Sequence, residues 1–296
     1  MPFSSDLAFR LRAALTDAQA NVLAQAVSLA DAHRLPLYLV GGGVRDLLMG
    51  RPIKDLDLVV EGDPSLFTEA LAQRLGGRIA MRSQFGTAVL KFGGLNVDIV
   101  MARSETYAYP GALPTVSPGS IAEDLGRRDF TIHAIALRLH PAPQELFDPT
   151  GGLQDLEAKL VRVLHPKGFQ DDATRILRAV RYEQRLAFSL EPETERLLRR
   201  DVGYLDAISG DRLRRELDLA FHEACAPAFL RRAAEMGVLK AIHPALPYLQ
   251  TVDERLSRLP LLGEPPLPLT YLALLTYGLD AGQRQALAVR LNLPKP

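Results

Sequence analysis

The sequence predicts an α+β protein: a head built on a mixed β-sheet up to about residue 140, followed by an all-helical region running to the end of the chain. Three observations predict it. Short apolar or alternating runs, the mark of strands, recur before residue 140 and are interleaved with helical periodicity. Glycine and proline punctuation falls between them. After residue 150 the strand signals nearly vanish, and Leu-, Ala- and Arg-rich helical patterns take over, broken at Pro166, Pro192, Gly210, Pro227 and Pro244.

In chain order, 17–33 carries helical periodicity, and LPLYLV (35–40) reads as a buried strand. Gly41, Gly42 and Gly43 then turn the chain into a short helix over 44–49. DLDLVV (55–60) is the next strand, and Pro64–Leu75 is a helix crossing between strands. GTAVLKF (86–92) and LNVDIVM (95–101) are strands that Gly93-Gly94 joins as a tight hairpin. YAYPGALPTVSPGS (107–120) contains two Pro-Gly pairs and a further proline, and reads as one long loop, either functional or disordered. Ser120 and Glu123 supply a capping box for a short helix after it. The expected domains are a head over 1–140, a helical neck over 141–210 and a helical body over 211–296.

The 296 residues are long enough to bury a substantial core, and 35 basic residues balance 35 acidic ones. Global charge therefore neither argues for a nucleic-acid partner nor against one, because a phosphate-binding surface needs only a local basic face. Ten arginines and no lysine lie between Arg175 and Arg215. Guanidinium suits two-pronged recognition of phosphates and base edges, although solvated helix faces are the commoner reason for such a run. No uninterrupted apolar run fits a membrane span or a secretory signal, and Cys225 is the single cysteine. A cytoplasmic location is the expectation.

The chemistry begins at Leu39–Asp63, LVGGGVRDLLMGRPIKDLDLVVEGD. A strand, a glycine turn and a helix start bring backbone N–H groups and the positive end of a helix to one point, with Arg45 in the first helical turn. That arrangement holds a phosphate, but glycines after a buried strand are often only a tight turn. The aspartates sharpen the reading. Side chains on a strand alternate, so Asp55 and Asp57 face one way and Leu56 and Leu58 the other. Two adjacent anions repel unless a cation neutralises them, and Mg²⁺ typically takes one or two carboxylates together with substrate phosphates. Two such ions about 4 Å apart would activate a hydroxyl and stabilise departing pyrophosphate. An isolated pair of this kind is usually the polar face of an edge strand; the glycine turn upstream favours metal. Asp98, in VDIV, is a third candidate carboxylate, either completing the metal site or holding its neighbours by hydrogen bonds.

Together, GGGVRDLLMG, KDLDLVV, RRDFTIHAIAL (127–137), DPTGGLQDL (148–156) and DDATRILRAVRYEQRLAF (171–188) resemble the class II tRNA nucleotidyltransferase and bacterial poly(A) polymerase family. The resemblance covers about residues 35–220, in order and with family-like spacing. It implies a nucleotidyltransferase palm in the head, a helical neck and body, and template-free addition of C and A to tRNA 3′ ends from CTP and ATP with Mg²⁺. By motif match, Asp55 and Asp57 are the catalytic, metal-binding carboxylates. Gly42, Gly43 and Arg45 contact the triphosphate, and Arg128 and Asp129 bind the sugar and phosphates. Asp171, Asp172 and Arg175 read the incoming base, while Arg178 and Arg181 line the same groove, with a structural ion pair as the other reading for one of them.

The base reader has a physical logic. Cytosine and adenine each present an amino donor beside a ring-nitrogen acceptor, whereas guanine and uracil present a carbonyl beside an N–H. A carboxylate accepts from the first pair while a guanidinium donates to it. Guanine and uracil leave buried groups clashing. Residues three and four apart on a helix share a face, which sets Arg175 beside both aspartates.

The chain departs from the family in places. His133 stands where asparagine is usual, so the hydrogen bond of that amide is in question, and His133 is equally readable as a neutral packing residue. Asp171 replaces a common glutamate and keeps its chemistry. His222 and His243 read as ordinary helix and turn residues, and no His-Asp dipeptide suggests an appended phosphohydrolase domain. Family members usually continue into a further helical tail that grips tRNA; without one, weaker tRNA binding with intact chemistry is expected. A partial A-adding or CC-adding enzyme and a poly(A) polymerase are the alternatives within the fold. The Asp55/Asp57 pair argues against a non-catalytic RNA-binding module, and the base reader against a small-molecule nucleotidyltransferase.

Overall fold

The computed structural model describes residues 7–83, 86–106, 108–109, 112, 114–259 and 267–293. The chain divides into two compact units, one comprising residues 1–106 and 114–158, the other 107–113 and 159–296.

The first unit is α+β, as predicted. Its elements are α1 (Leu7–Ala14), α2 (Asp17–His33), β1 (Leu37–Val40), α3 (Gly42–Leu48), β2 (Leu56–Val60), α4 (Pro64–Leu75), β3 (Arg78–Ser83), β4 (Thr87–Phe92), β5 (Leu95–Met101), β6 (Arg103–Thr106), β7 (Thr115–Pro118), α5 (Ile121–Gly126), β8 (Ala136–His140), β9 (Glu145–Phe147) and α6 (Gly152–Ala158). A seven-stranded mixed sheet runs in the order β3-β4-β5-β2-β1-β8-β9. Within it only β2 and β5 are parallel neighbours, pairing Asp57 with Asp98.

Local chemistry starts and stops these elements. Thr16 and Gln19 form a capping box on α2, and Asp63 accepts from the Ser65 N–H at 2.8 Å to open α4, whose first residue is Pro64. Gly76, in the left-handed region, ends α4. The predicted capping box of Ser120 and Glu123 opens α5. Alternation along the central strands then decides the layers. Leu56, Leu58 and Val60 of β2, with Val97 and Ile99 of β5, enter a core shared with Leu23, Leu29, Phe67 and Leu71 of the two long helices. Asp57 and Asp98 consequently take the opposite face.

Two readings are corrected, and one strand was not foreseen. The strand expected over 55–60 begins at Leu56, so Asp55 lies just before it, exposed. The segment 107–120 contains β7, which pairs antiparallel with β6 as a separate two-stranded sheet. Positions 107, 110, 111 and 113 of the expected loop lie outside the described residues. Strand β3 had no reading at all: it is an edge strand with most of its side chains in solvent, so no apolar pattern marks it.

Among its described residues, the second unit is helical apart from the two-residue strands β10 (Leu160–Val161) and β11 (Ser189–Leu190). Its helices are α7 (Gly168–Asp171), α8 (Thr174–Leu186), α9 (Pro192–Asp201), α10 (Gly210–Phe221), α11 (Ala226–Glu235), α12 (Val238–Ile242), α13 (Leu249–Leu256), α14 (Pro268–Thr276) and α15 (Ala281–Arg290). Among the described residues, no helix is long and apolar enough to cross a membrane.

Candidate active site

The head gathers its carboxylates where β2 and β5 run in parallel. Asp57 and Asp98 are register partners, half-buried on the face away from the core. Burial is the main cause that pushes the Asp57 carboxyl up to about 6, helped by Asp98 and Asp55 and opposed by Arg128. Burial and Asp55 also raise Asp98. Such a group of mutually repelling carboxylates, part-buried on one strand face, is what a bound cation relieves.

The glycine turn stands against this face. Gly41 has φ +65°, and a Cβ there would lie 3.0 Å from Arg128 Nη1 and 3.6 Å from Asp57 Oδ2. Only a residue without a side chain lets the backbone, the guanidinium and the carboxylate come so close. Gly43 faces inward instead: its Cβ would meet the Asp55 carbonyl at 3.3 Å and the side chains of Ile53 and Leu39 at 3.5 Å. Its service is to pack the turn under Asp55, and Gly42 opens α3 above it.

Arg128 is held from behind. Its Nε and Nη2 donate to Asp124 Oδ2 at 3.3 and 2.8 Å, while Arg127 donates to Oδ1 of the same carboxylate at 3.1 and 2.6 Å. Burial opposes the charge on Asp124, yet the two arginines outweigh it and hold its carboxyl below the usual range. Sequence reasoning missed Asp124, whose only mark was its place beside the capping residue Glu123.

His133 joins two of the expected nucleotide-binding residues. Its Nδ1 lies 2.9 Å from Asp129 Oδ1 and its Nε2 lies 2.6 Å from Arg45 Nη1. The arginine has only protons to give, so Nε2 accepts, and the imidazole is neutral with its proton on Nδ1, donated to Asp129. Arg45 also donates through Nε and Nη2 to Asp46 at 2.9 and 2.8 Å and is 3% exposed. The Arg45 guanidinium is thus buried among Asp46 and His133 and is linked to Asp129 through His133.

In the second unit, Asp171, Asp172 and Arg175 lie on either side of a helix break that the sequence reading did not anticipate. One helical face was expected. Instead α7 ends at Asp171, Asp172 is extended (φ −142°, ψ 98°) and α8 begins only at Thr174. Asp172 Oδ1 accepts from the Thr174 N–H at 3.0 Å and from its hydroxyl at 2.7 Å, at the first residue of the new helix. Arg212 of α10 donates to the same oxygen at 2.7 Å, a partner the reading missed because it is 40 residues away. His165 Nε2 stands 3.5 Å from Asp171 Oδ2. Arg175 is buried, with Nη1 3.4 Å from the Gly168 carbonyl.

Arg178 and Arg181 diverge. Arg178, partly exposed, lies 3.7 Å from Glu216 and over the Tyr182 ring. Arg181 makes the structural ion pairing that was the other reading for one of the two: it is 4% exposed and bonds Glu216 at 3.3 Å and Glu223 at 3.0 Å.

Among the described residues, no cluster of three or more His, Cys, Asp and Glu side chains has the geometry to hold a metal by itself. The donor set at Asp55, Asp57 and Asp98 instead suits a hard cation that completes its shell with water and phosphate oxygens.

Comparison with known proteins follows the same division. A model of the poly A polymerase head domain matches residues 37–162, and one described as "Probable RNA and SrmB- binding site of polymerase A" matches 187–249. The chain is 45% identical over 232 residues to an A-adding tRNA nucleotidyltransferase of Geobacter sulfurreducens, covering 76% of this chain and 26% of that one. It is 39% identical over 261 residues to the CC-adding tRNA nucleotidyltransferase of Deinococcus radiodurans, covering 87% and 67%. The chain belongs to the tRNA nucleotidyltransferase and poly(A) polymerase family. A solved CCA-adding enzyme, in its apo form II, superposes with a TM-score of 0.87 at 35% identity, covering 98% of this chain and 71% of that one. Within the family match, Asp171, Asp172, Arg175, Arg178 and Arg181 fall in the interval between the two models. Members of this family are nucleotidyltransferases, which generally use a divalent metal.

Proposed function

We propose that this family member is a tRNA nucleotidyltransferase that adds C, A or both to the tRNA 3′ end from CTP and ATP with Mg²⁺. The observation that carries the reading is the Asp57–Asp98 register beside Gly41 and Arg128. The chain spans 26% of the Geobacter relative's length, so the activity of the longer protein is carried here as a proposal.

Asp55 and Asp57 would hold the metal, with Asp98 adding charge beside them. Bound Mg²⁺ would supply Lewis acidity toward the α-phosphate and ease deprotonation of the attacking tRNA hydroxyl. Arg128, anchored by Asp124, offers its outer guanidinium nitrogen to triphosphate charge next to Asp57. Asp129, fixed by its Phe130 N–H and by His133, is oriented to accept from a sugar hydroxyl. In the second unit, an aspartate of the Asp171–Asp172 pair accepts from the amino group of cytosine or adenine while Arg175 donates to the ring nitrogen. Arg178 is the partly exposed arginine suited to RNA or phosphate. A cytoplasmic setting accords with a tRNA substrate and a single cysteine.

Addition of A alone is the second reading, supported by the higher identity to the A-adding relative than to the CC-adding one. Single-nucleotide extension separates them, on transcripts of one tRNA ending before the CCA, after one C and after CC. Addition of C to the first two and A to the third is full CCA synthesis; A on the CC end alone is the A-adding enzyme. No incorporation of any nucleotide overturns the proposal.

A further inference from the structure

Five charged side chains of the head form a chain of alternating sign that ends at Asp57. Arg103 on β6 donates through Nε and Nη2 to Glu105 Oε1 at 3.1 and 2.8 Å. The same oxygen accepts from Arg127 Nη1 at 2.8 Å. Arg127 and Arg128 then share the two oxygens of Asp124, each through two nitrogens. The Nη1 of Arg128 lies at the Gly41 turn, and the charge of Arg128 acts on Asp57. The Glu105 side chain is 6% exposed and that of Asp124 wholly buried.

The burial decides what the chain does. Partly desolvated ion pairs stabilise a fold little better than apolar packing would, whereas they fix side-chain geometry closely. Arg127 is the shared element: its Nη1 engages Glu105 while its Nε and Nη2 engage Asp124, so a guanidinium plane fixed at one end fixes the other. Asp124 in turn has both oxygens committed, and any shift of Arg127 moves the carboxylate that anchors Arg128. Glu105 belongs to none of the sequence motifs.

We propose that Glu105 is a positioning residue that sets, through Arg127 and Asp124, where the Arg128 guanidinium stands beside Asp57, and thereby sets affinity for the nucleoside triphosphate. This rests on the nucleotidyltransferase reading above. The hairpin of β6 and β7 is thus coupled by charge to the phosphate end of the head.

The test is calorimetric titration of CTP and ATP into the full chain, with extension kinetics and Tm measured alongside, for wild type, Glu105→Gln, Glu105→Asp and the control Glu145→Gln. Glu145 sits in an exposed pair with Arg138 on the far hairpin. The expected result for Glu105→Gln is about three- to tenfold weaker nucleotide binding, the range in which residues acting through neighbours shift a site, with kcat changed less than about twofold and a cooperative melting transition retained. Glu105→Asp recovers part of the affinity, and Glu145→Gln changes nothing. Equal nucleotide affinity in all four proteins overturns the proposal, as does a lowered Tm without loss of affinity. Wild-type protein that binds nucleotide but extends no tRNA would sink the activity reading, while the affinity comparison still decides the role of Glu105.

Discussion

Asp57 faces Asp98 across two parallel strands, residue for residue, with the apolar core behind both. The alternation of β2 and β5 turns two carboxylates onto one face, and burial then penalises their charges. Without a cation this arrangement costs the fold, and its titration has a definite sign. Asp57 is raised to about 6, so the folded protein binds more protons than the unfolded chain between the ordinary carboxylate range and about pH 6. The contribution of Asp57 to stability therefore falls as pH rises through that window. Asp57→Asn is expected to stabilise the metal-free protein relative to wild type at pH 7.5 by up to about 2–3 kcal/mol, with the difference shrinking toward pH 4. Urea melts with chelator at both pH values check this; a difference that grows on acidification would be the wrong sign.

Metal binding follows the opposite course, because a divalent ion competes with the proton on Asp57. Mn²⁺ affinity of the full chain, followed by electron paramagnetic resonance, is expected to drop as pH is lowered through about 6. Asp98→Asn removes one repelling neighbour and moves that drop to lower pH. An affinity flat from pH 5 to 8 would mean that Asp57 is not a ligand.

The buried link Arg45–His133–Asp129 predicts a spectroscopic state. Nitrogen-15 shifts of His133 should report a neutral ring protonated at Nδ1 and unprotonated at Nε2. Replacing His133 by alanine leaves two buried charged groups without their bridge and should cost roughly 2–4 kcal/mol. His133→Asn, the side chain usual in the family, should cost less. Equal losses in the two variants would deny the bridge.

Arg212 has a testable place in base selection. It bonds the oxygen of Asp172 that also accepts from Thr174, so Arg212→Ala should loosen that carboxylate. The expected outcome is a fall in preference for CTP and ATP over GTP and UTP of about tenfold, smaller than the effect of Arg175→Ala. Misincorporation assays with each nucleotide alone measure it, and unaltered preference in Arg212→Ala would remove the residue from base selection.

Much of this was legible in the sequence for a physical reason: alternation along DLDLVV and LNVDIVM by itself separates a core face from a carboxylate face. The glycine turn, the helix at Pro64 and the capping box at Ser120 were local signals and emerged where expected. What stayed hidden depends on distant partners. The burial of Arg45 against His133, far along the chain, has no local mark. The break between α7 and α8 carries no glycine or proline; it is marked by the bond of Asp172 to the Thr174 N–H, a short polar contact that periodicity does not register. Glu105 and Asp124 became visible only when the fold set Arg127 between them.

The measurement that bears most directly on the central claim is the single-turnover rate of nucleotide addition by Asp57→Asn on a tRNA acceptor with Mg²⁺, made together with tRNA binding and a melting curve. The account predicts a loss of at least about 10³-fold in rate with tRNA affinity and fold retained. A rate within about tenfold of wild type would contradict the assignment of the β2 carboxylates to catalysis.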